Sequence, residues 1–181
     1  MTCTEIVVAA LDRLGRGTDD RTVENYWSTF LQYANRAIRI IARRYKACRR
    51  EIVPLTDGVF SVDQLERECL KIVRVMADGR SVGFEQDVDG SGEFTCDTTA
   101  PEVAVYYRFL PKFVVSQTEV PELPNRMHEI IVHYIVACER CGGDPDTQGT
   151  ASADFEIFNS LVAAIESCKL GQASAYTLDN Y

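Results

Sequence analysis

Histidine is nearly missing from this chain, with 2 in 181 residues, and tryptophan occurs once. Two imidazoles leave few options for proton transfer near neutral pH, where histidine is the usual carrier. The signature motifs of several enzyme classes are missing too: there is no Walker phosphate loop, no dinucleotide Gly-x-Gly-x-x-Gly, no His-Glu-x-x-His and no Gly-x-Ser-x-Gly. Asp19-Asp20 and Glu66/Glu68 are carboxylate pairs of the kind any acidic protein carries, and alone they nominate no active site. Long apolar runs are lacking as well. The longest, Ile130 to Cys138, has nine residues and contains His133, against the roughly 20 that cross a bilayer. The N-terminal MTCTEIVVAALDRLG shows no basic leader, apolar core and small-residue cleavage site. The reading at this level is a soluble intracellular protein without a catalytic site.

What is present suits a folded domain. Hydrophobic residues make up 46% and charged residues 25%, values that separate the chain from the disordered and fibrous classes. Its length fits one well-buried domain of roughly 100 to 200 residues, with no repeat, low-complexity tract or long linker. Seven cysteines (Cys3, Cys48, Cys69, Cys96, Cys138, Cys141, Cys168) are an odd number scattered through different segments. That pattern suits reduced thiols packed as small apolar side chains better than a disulfide framework.

Apolar spacing predicts four helices. Ile6, Val7, Ala10, Leu11 and Leu14 mark a short first helix after Thr4 as N-cap, broken by Gly15 and Gly17. Val23, Tyr26, Trp27, Phe30, Ala34, Ala37, Ile38, Ile41 and Tyr45 mark a long second one, from about Thr22 to Arg49. Met127, Ile130, Ile131, Tyr134, Ile135 and Cys138 mark the third, entered through Pro124 and stopped at Gly142-Gly143, with Asp144-Pro145 opening a polar loop. Phe155, Phe158, Val162 and Ile165 mark a fourth, ending near Gly171. Between the pairs, Ile52–Leu55, Val59–Val62, Cys69–Met76, Ser81–Glu85 and Val103–Phe109 read as short strands, with Asp57-Gly58 and Asp78-Gly79 as tight turns. The expected fold is α+β, mainly α: a four-helix core of two N-terminal and two C-terminal helices with a small antiparallel β-hairpin insert. It forms a single domain over 1–181, with a helical body at 1–50 and 124–170, a β-rich insert at 51–115 and a C-terminal tail at 172–181.

Three motifs carry possible chemistry. Cys138-Glu139-Arg140-Cys141 has the spacing used for zinc or dithiol chemistry, and His128 and His133 precede it. It lacks a second C-x-x-C, and buried thiols closing a helix are the alternative. Asp87, Asp89, Ser91 and Gly92 match the first half of a calcium loop, but its twelfth position would be Thr98 in place of glutamate, which favours a solvated hairpin turn.

The third motif is electrostatic. The net charge is −8, yet residues 36–50 hold seven cations and no acid; taking those seven away leaves −15 on the rest. Arg36, Arg39, Arg43, Lys46 and Arg50 recur three or four apart and so share a helical face. That face reads as a nucleic-acid patch, as favourable charge at a helix C-terminus, or as a contact for an acidic partner, of which another copy of the chain is the simplest. A solvated face is the alternative. In the tail, Tyr176, Leu178 and Tyr181 offer anchors for a partner's groove, against the alternative of a frayed end.

The order of elements resembles head-to-tail adaptor proteins of tailed bacteriophages. DGVFSVDQLERECLKIVRVMADGRSVGFEQ is similar to that family's turn and short strand leading through an acidic stretch into a strand-turn-strand. ELPNRMHEIIVHYIVAC resembles its helix entered through Glu-Leu-Pro. The resemblance covers about residues 1 to 170. It implies a non-enzymatic virion protein without cofactor or metal, forming a ring commonly of twelve subunits beneath the portal and assembled in the host cytoplasm. The ring extends the DNA channel without sequence-specific binding and docks the next connector or the tail, while C-terminal segments reach toward the portal. A head-completion stopper or tail-completion role is the neighbouring alternative. An alternative of another class is a small cytosolic thiol- or metal-dependent protein using Cys138 and Cys141.

Overall fold

The structure is a computed structural model and describes residues 1–87, 90–142 and 145–166. Its backbone divides into two compact units. The helical unit comprises 1–45 and 111–166, and the described part of the sheet unit is 46–110.

The helical unit contains α1 (Cys3–Arg13), α2 (Asp20–Tyr45), α3 (His128–Cys141) and α4 (Pro145–Ala163). Helix α3 packs against each of the other three, which explains why its apolar residues surround most of its circumference. Ile130, Ile131, Val132, Tyr134, Ile135, Val136 and Ala137 are all buried. Against it lie Ile6, Val7 and Leu11 of α1, Phe30, Ala37, Ile38 and Ile41 of α2, and Phe158 of α4, each also buried. Each valine, leucine, isoleucine or phenylalanine among them contributes roughly 1.5–3 kcal/mol on removal from water before conformational entropy is set against it. No helix among the described residues is long and apolar enough to cross a membrane.

The helix ends differ from expectation in ways that local hydrogen bonds explain. Thr2, not Thr4, caps α1, because Glu5 stands three residues later and completes a reciprocal capping box. Thr4 instead bonds the Gln117 carbonyl through both its amide and its hydroxyl. Asp19 serves α2 by accepting from the Thr22 amide and hydroxyl, and those bonds hold its carboxyl below the usual range. The predicted loop after Asp144-Pro145 is the first turn of α4, where proline's missing N–H is no loss.

The sheet unit requires the larger correction. Seven strands stand among the described residues: β1 (Cys48–Pro54), β2 (Val59–Ser61), β3 (Cys69–Ala77), β4 (Arg80–Val82), β5 (Phe84–Gln86), β6 (Glu93–Cys96) and β7 (Glu102–Phe109). They form two antiparallel sheets, ordered β1-β7-β3-β4 and β2-β6-β5. With 45% helix and 24% strand, this overturns the four-helix core with one small hairpin.

Three local events produced the difference. Lys46 adopts a φ of +58° and ends α2, so Cys48 to Arg50 enter a strand rather than a further helical turn. The run Ser81–Glu85 divides at Gly83, and its two halves join different sheets. Strand β6 was not foreseen, because its four residues bury only Phe94 and Cys96 and lie next to the calcium-like segment. The two Asp-Gly turns do form as read: Asp57, Gly58, Asp78 and Gly79 all have positive φ, the pair of values a type I′ turn requires.

Within the three-stranded sheet, Phe94 stacks on Phe60 at 5.4 Å and meets Phe84 at 6.1 Å. Gly92 has a φ of +77°, and a Cβ there would lie 2.8 Å from Val62 Cγ2, so any other residue would be strained and would have to displace Val62. In the four-stranded sheet, β7 alternates strictly, with Val103, Val105, Tyr107 and Phe109 buried and the intervening residues outward.

Candidate functional site

Five cations expected on one helical face are divided by the end of α2. Arg36, Arg39 and Arg43 stand on α2, Lys46 occupies the positive-φ position that ends it, and Arg50 belongs to β1 in the other unit. The shared face therefore shrinks to three arginines. Tyr176, Leu178 and Tyr181 lie outside the described residues.

The three arginines line an open groove of about 560 Å³ together with Gln32, Asn35, Ile40 and Phe113. Asn35 builds it. Its Nδ2 donates to the Val114 carbonyl and its Oδ1 accepts from the Val114 amide, both at 2.9 Å. This two-point clamp fastens the segment after Pro111 alongside α2 and brings Phe113, 55% exposed, under the Arg39 guanidinium at 4.7 Å from the ring centroid. Glu119 secures the same segment from its other end by accepting from the Val115 and Ser116 amides at 2.6 and 2.9 Å. Those bonds, with Lys112 beside them, hold its carboxyl down at about 2.

Arg36 turns toward α3. Burial first, and the nearby Cys138 thiol next, raise the Tyr134 phenol's pKa, with the Arg36 guanidinium opposing them. Arg43 is exposed. The groove thus combines three cations, of which Arg39 is held against Phe113, with an aromatic and an aliphatic side chain. Such a surface suits a carboxylate-bearing protein segment, because guanidinium groups take carboxylates in a planar fork while the apolar neighbours exclude water. Sequence periodicity pointed to the arginines, whereas Asn35 and Phe113 carried no signal, since a clamp between residues 79 apart leaves no local pattern.

The other motifs are placed as follows. The imidazole of His133 is bonded by Arg13, whose guanidinium also pairs with Glu129. His128 is fully buried, 3.0 Å from the Leu123 carbonyl through Nε2 and 2.8 Å from the Met1 amino group through Nδ1. Burial first, and the ammonium second, push its pKa down, so the ring is neutral and Nε2–H donates. Among the described residues no group of three or more His, Cys, Asp or Glu is placed to hold a metal ion. Of the calcium-like motif, Asp89 lies outside the described residues; β5 and β6 on either side of it pair antiparallel, and the Asp87 N–H donates to the Glu93 carbonyl at 3.0 Å.

Thiol environments differ sharply. Cys141 is exposed, whereas burial raises Cys138, Cys69 and Cys96, and pushes Cys3 up to about 11. Since the thiolate is the reacting form, iodoacetamide labelling of the native protein followed by peptide mass spectrometry is expected to modify Cys141 at least tenfold faster than Cys3. Equal rates would contradict the buried placement of Cys3 in α1.

No protein-family model matches the chain, and no curated protein matches it.

Proposed function

We propose that this chain is a structural head-to-tail connector of a tailed bacteriophage: an adaptor that assembles as a ring, commonly twelvefold, at the portal vertex, extends the DNA channel and docks the next connector or the tail. The observation that carries the reading is the α2 groove, in which Arg36, Arg39 and Arg43 stand beside Phe113 and Ile40 on a chain of net charge −8. A cationic and apolar groove on an acidic protein supports subunit or portal contact, since charge complementarity sets register and speeds encounter. The order of helices and strands along the chain supports it further through its resemblance to the adaptor family. Excess carboxylate suits a channel wall past which DNA slides without adhering. Tyr176, Leu178 and Tyr181 would add contacts to the portal.

Electron microscopy of the purified protein, alone and mixed with a portal, tests the reading directly, and rings or portal-capped particles are expected. Arg43→Glu, on an exposed side chain, should weaken ring formation or portal docking roughly tenfold, and adding Arg39→Glu should abolish it. High salt should weaken the wild type in the same direction, because exposed pairs are screened beyond about 8 Å. Absence of any assembly with or without a portal would sink the proposal. Tight DNA binding lost on the same reversals would assign the groove to nucleic acid instead.

A further inference from the structure

The four-stranded sheet presents a second cationic surface, separate from α2. Because Val103, Val105, Tyr107 and Phe109 of β7 are buried, Ala104, Tyr106 and Arg108 face outward, and strand register extends that parity to the neighbours. Arg50 of β1 and Arg74 of β3 flank Tyr106, while Cys48 and Lys71 flank Arg108. The face therefore gathers Arg50, Lys71, Arg74 and Arg108 around one aromatic ring, over which Arg74 stacks at 4.6 Å. Ile52, 57% exposed, extends it with apolar area. Arg108 Nε is buried there without a hydrogen-bond partner. On these strands the one carboxylate of that parity is Glu102, at the far end opposite Pro54.

The three-stranded sheet has the opposite sign. Phe60, Phe94 and Cys96 are buried, so Glu93 and Thr95 of β6 face outward, with Glu85 paired to Thr95 and Ser61 paired to Glu93. Asp87 and Asp97 continue the alternation past the strand ends, and both are exposed. Four carboxylates thus occupy this face, and the chain has no lysine or arginine between Arg80 and Arg108 to offset them.

We propose that the outward face of the β1-β7-β3-β4 sheet docks the acidic outward face of the β2-β6-β5 sheet of a second copy of this chain. Four cations meet four carboxylates, and Arg74, stacked on Tyr106, is held in place before binding, which lowers the entropy lost on association. A chain of net charge −8 repels polyphosphate at long range, so nucleic acid is the weaker match for the same cations. The two faces are different surfaces. The contact is consequently heterologous, leaves one copy of a pair with its acidic face unused and the other with its basic face unused, and propagates to a closed ring or a filament. The contact uses neither the α2 groove nor a portal, so it stands or falls separately from the connector reading.

Two charge reversals test it, Arg50→Glu with Lys71→Glu, and Glu85→Lys with Glu93→Lys, all on exposed side chains. Sedimentation velocity at low salt is expected to show the wild type self-associating and each reversed pair weakened about tenfold or more. An equimolar mixture of the two variants, or one chain carrying all four substitutions, should regain association, because complementary faces are restored. Circular dichroism checks each fold, and Arg50→Gln with Lys71→Gln serves if the reversal does not fold. A wild type that stays monomeric, reversals without effect, or a fourfold variant as weak as either pair would overturn the contact. Loss of binding to a single-stranded oligonucleotide on Arg50 and Lys71 reversal, with self-association unchanged, would assign the face to nucleic acid. Rings that persist in every variant overturn this contact and leave the connector reading intact.

Discussion

Glu51→Ala is expected to destabilise the sheet unit by about 3 kcal/mol, measured by urea unfolding followed by circular dichroism. The Glu51 carboxylate accepts from three donors: the Tyr107 hydroxyl at 2.6 Å, the Glu66 amide at 2.8 Å and Arg49 Nε at 2.8 Å. Arg49 also pairs with Glu66, which pairs in turn with Arg67. Tyr107 is fully buried on the central strand β7. Burial, reinforced by Glu51, raises the phenol's pKa, so the hydroxyl keeps its proton and acts as a donor. Truncation at Glu51 leaves that donor without its acceptor in the interior, and an orphaned buried polar group costs about 1–3 kcal/mol on top of the lost charge-assisted bonds. The double variant Glu51→Ala/Tyr107→Phe removes the orphan as well as its acceptor and should be less destabilised than the sum of the two single changes. Additivity between them, or a loss below about 1 kcal/mol for Glu51→Ala, would show that the cluster does not hold the central strand.

Asn35→Ala should cost about 2–3 kcal/mol and lower the melting temperature by roughly 4–10 °C. Val114 is 1% exposed, so its amide and carbonyl both lose their Asn35 partner in a place where water does not readily replace it. Asn35→Asp is expected not to rescue, because a carboxylate still accepts from the amide but opposes the Val114 carbonyl. Thermal melts distinguish these outcomes. A variant as stable as the wild type would mean that the segment after Pro111 is held by its apolar contacts alone. The groove should suffer with the clamp, since Phe113 depends on it for its place beneath Arg39. Acid acts on the same segment through Glu119. Its folded-state pKa is depressed from 4.5 to about 2, so its stabilisation is complete above about 4.5 and is lost as pH falls toward 2. Melting temperatures followed across that window in Glu119→Gln should show a weaker acid dependence than the wild type.

How far the sequence alone could be read depended on the range of the interaction involved. Helical periodicity located all four helices, because one buried stripe on each is written every three or four residues. It did not find the end of α2. Arg43 to Arg50 continue the helical spacing without interruption, and only the positive φ at Lys46 and the pairing of Cys48–Pro54 with β7 place Arg50 on a strand instead of on α2. The cationic site was therefore legible as a composition and misplaced as a surface.

The chain's own letters determined the tight turns at Asp57-Gly58 and Asp78-Gly79, the helical stripes, the scarcity of acid-base catalysts and the unequal distribution of charge, all of which follow from conformational preference or side-chain chemistry over a few residues. Tertiary structure alone decided that Ser81–Glu85 serves two sheets, that Glu93–Cys96 is a strand, that Asn35 clamps Val114, and that cations and carboxylates segregate onto different sheet faces. The physical reason is that a strand buries its apolar side and satisfies its backbone donors only against a partner, and which partner it meets is a property of the whole chain's packing.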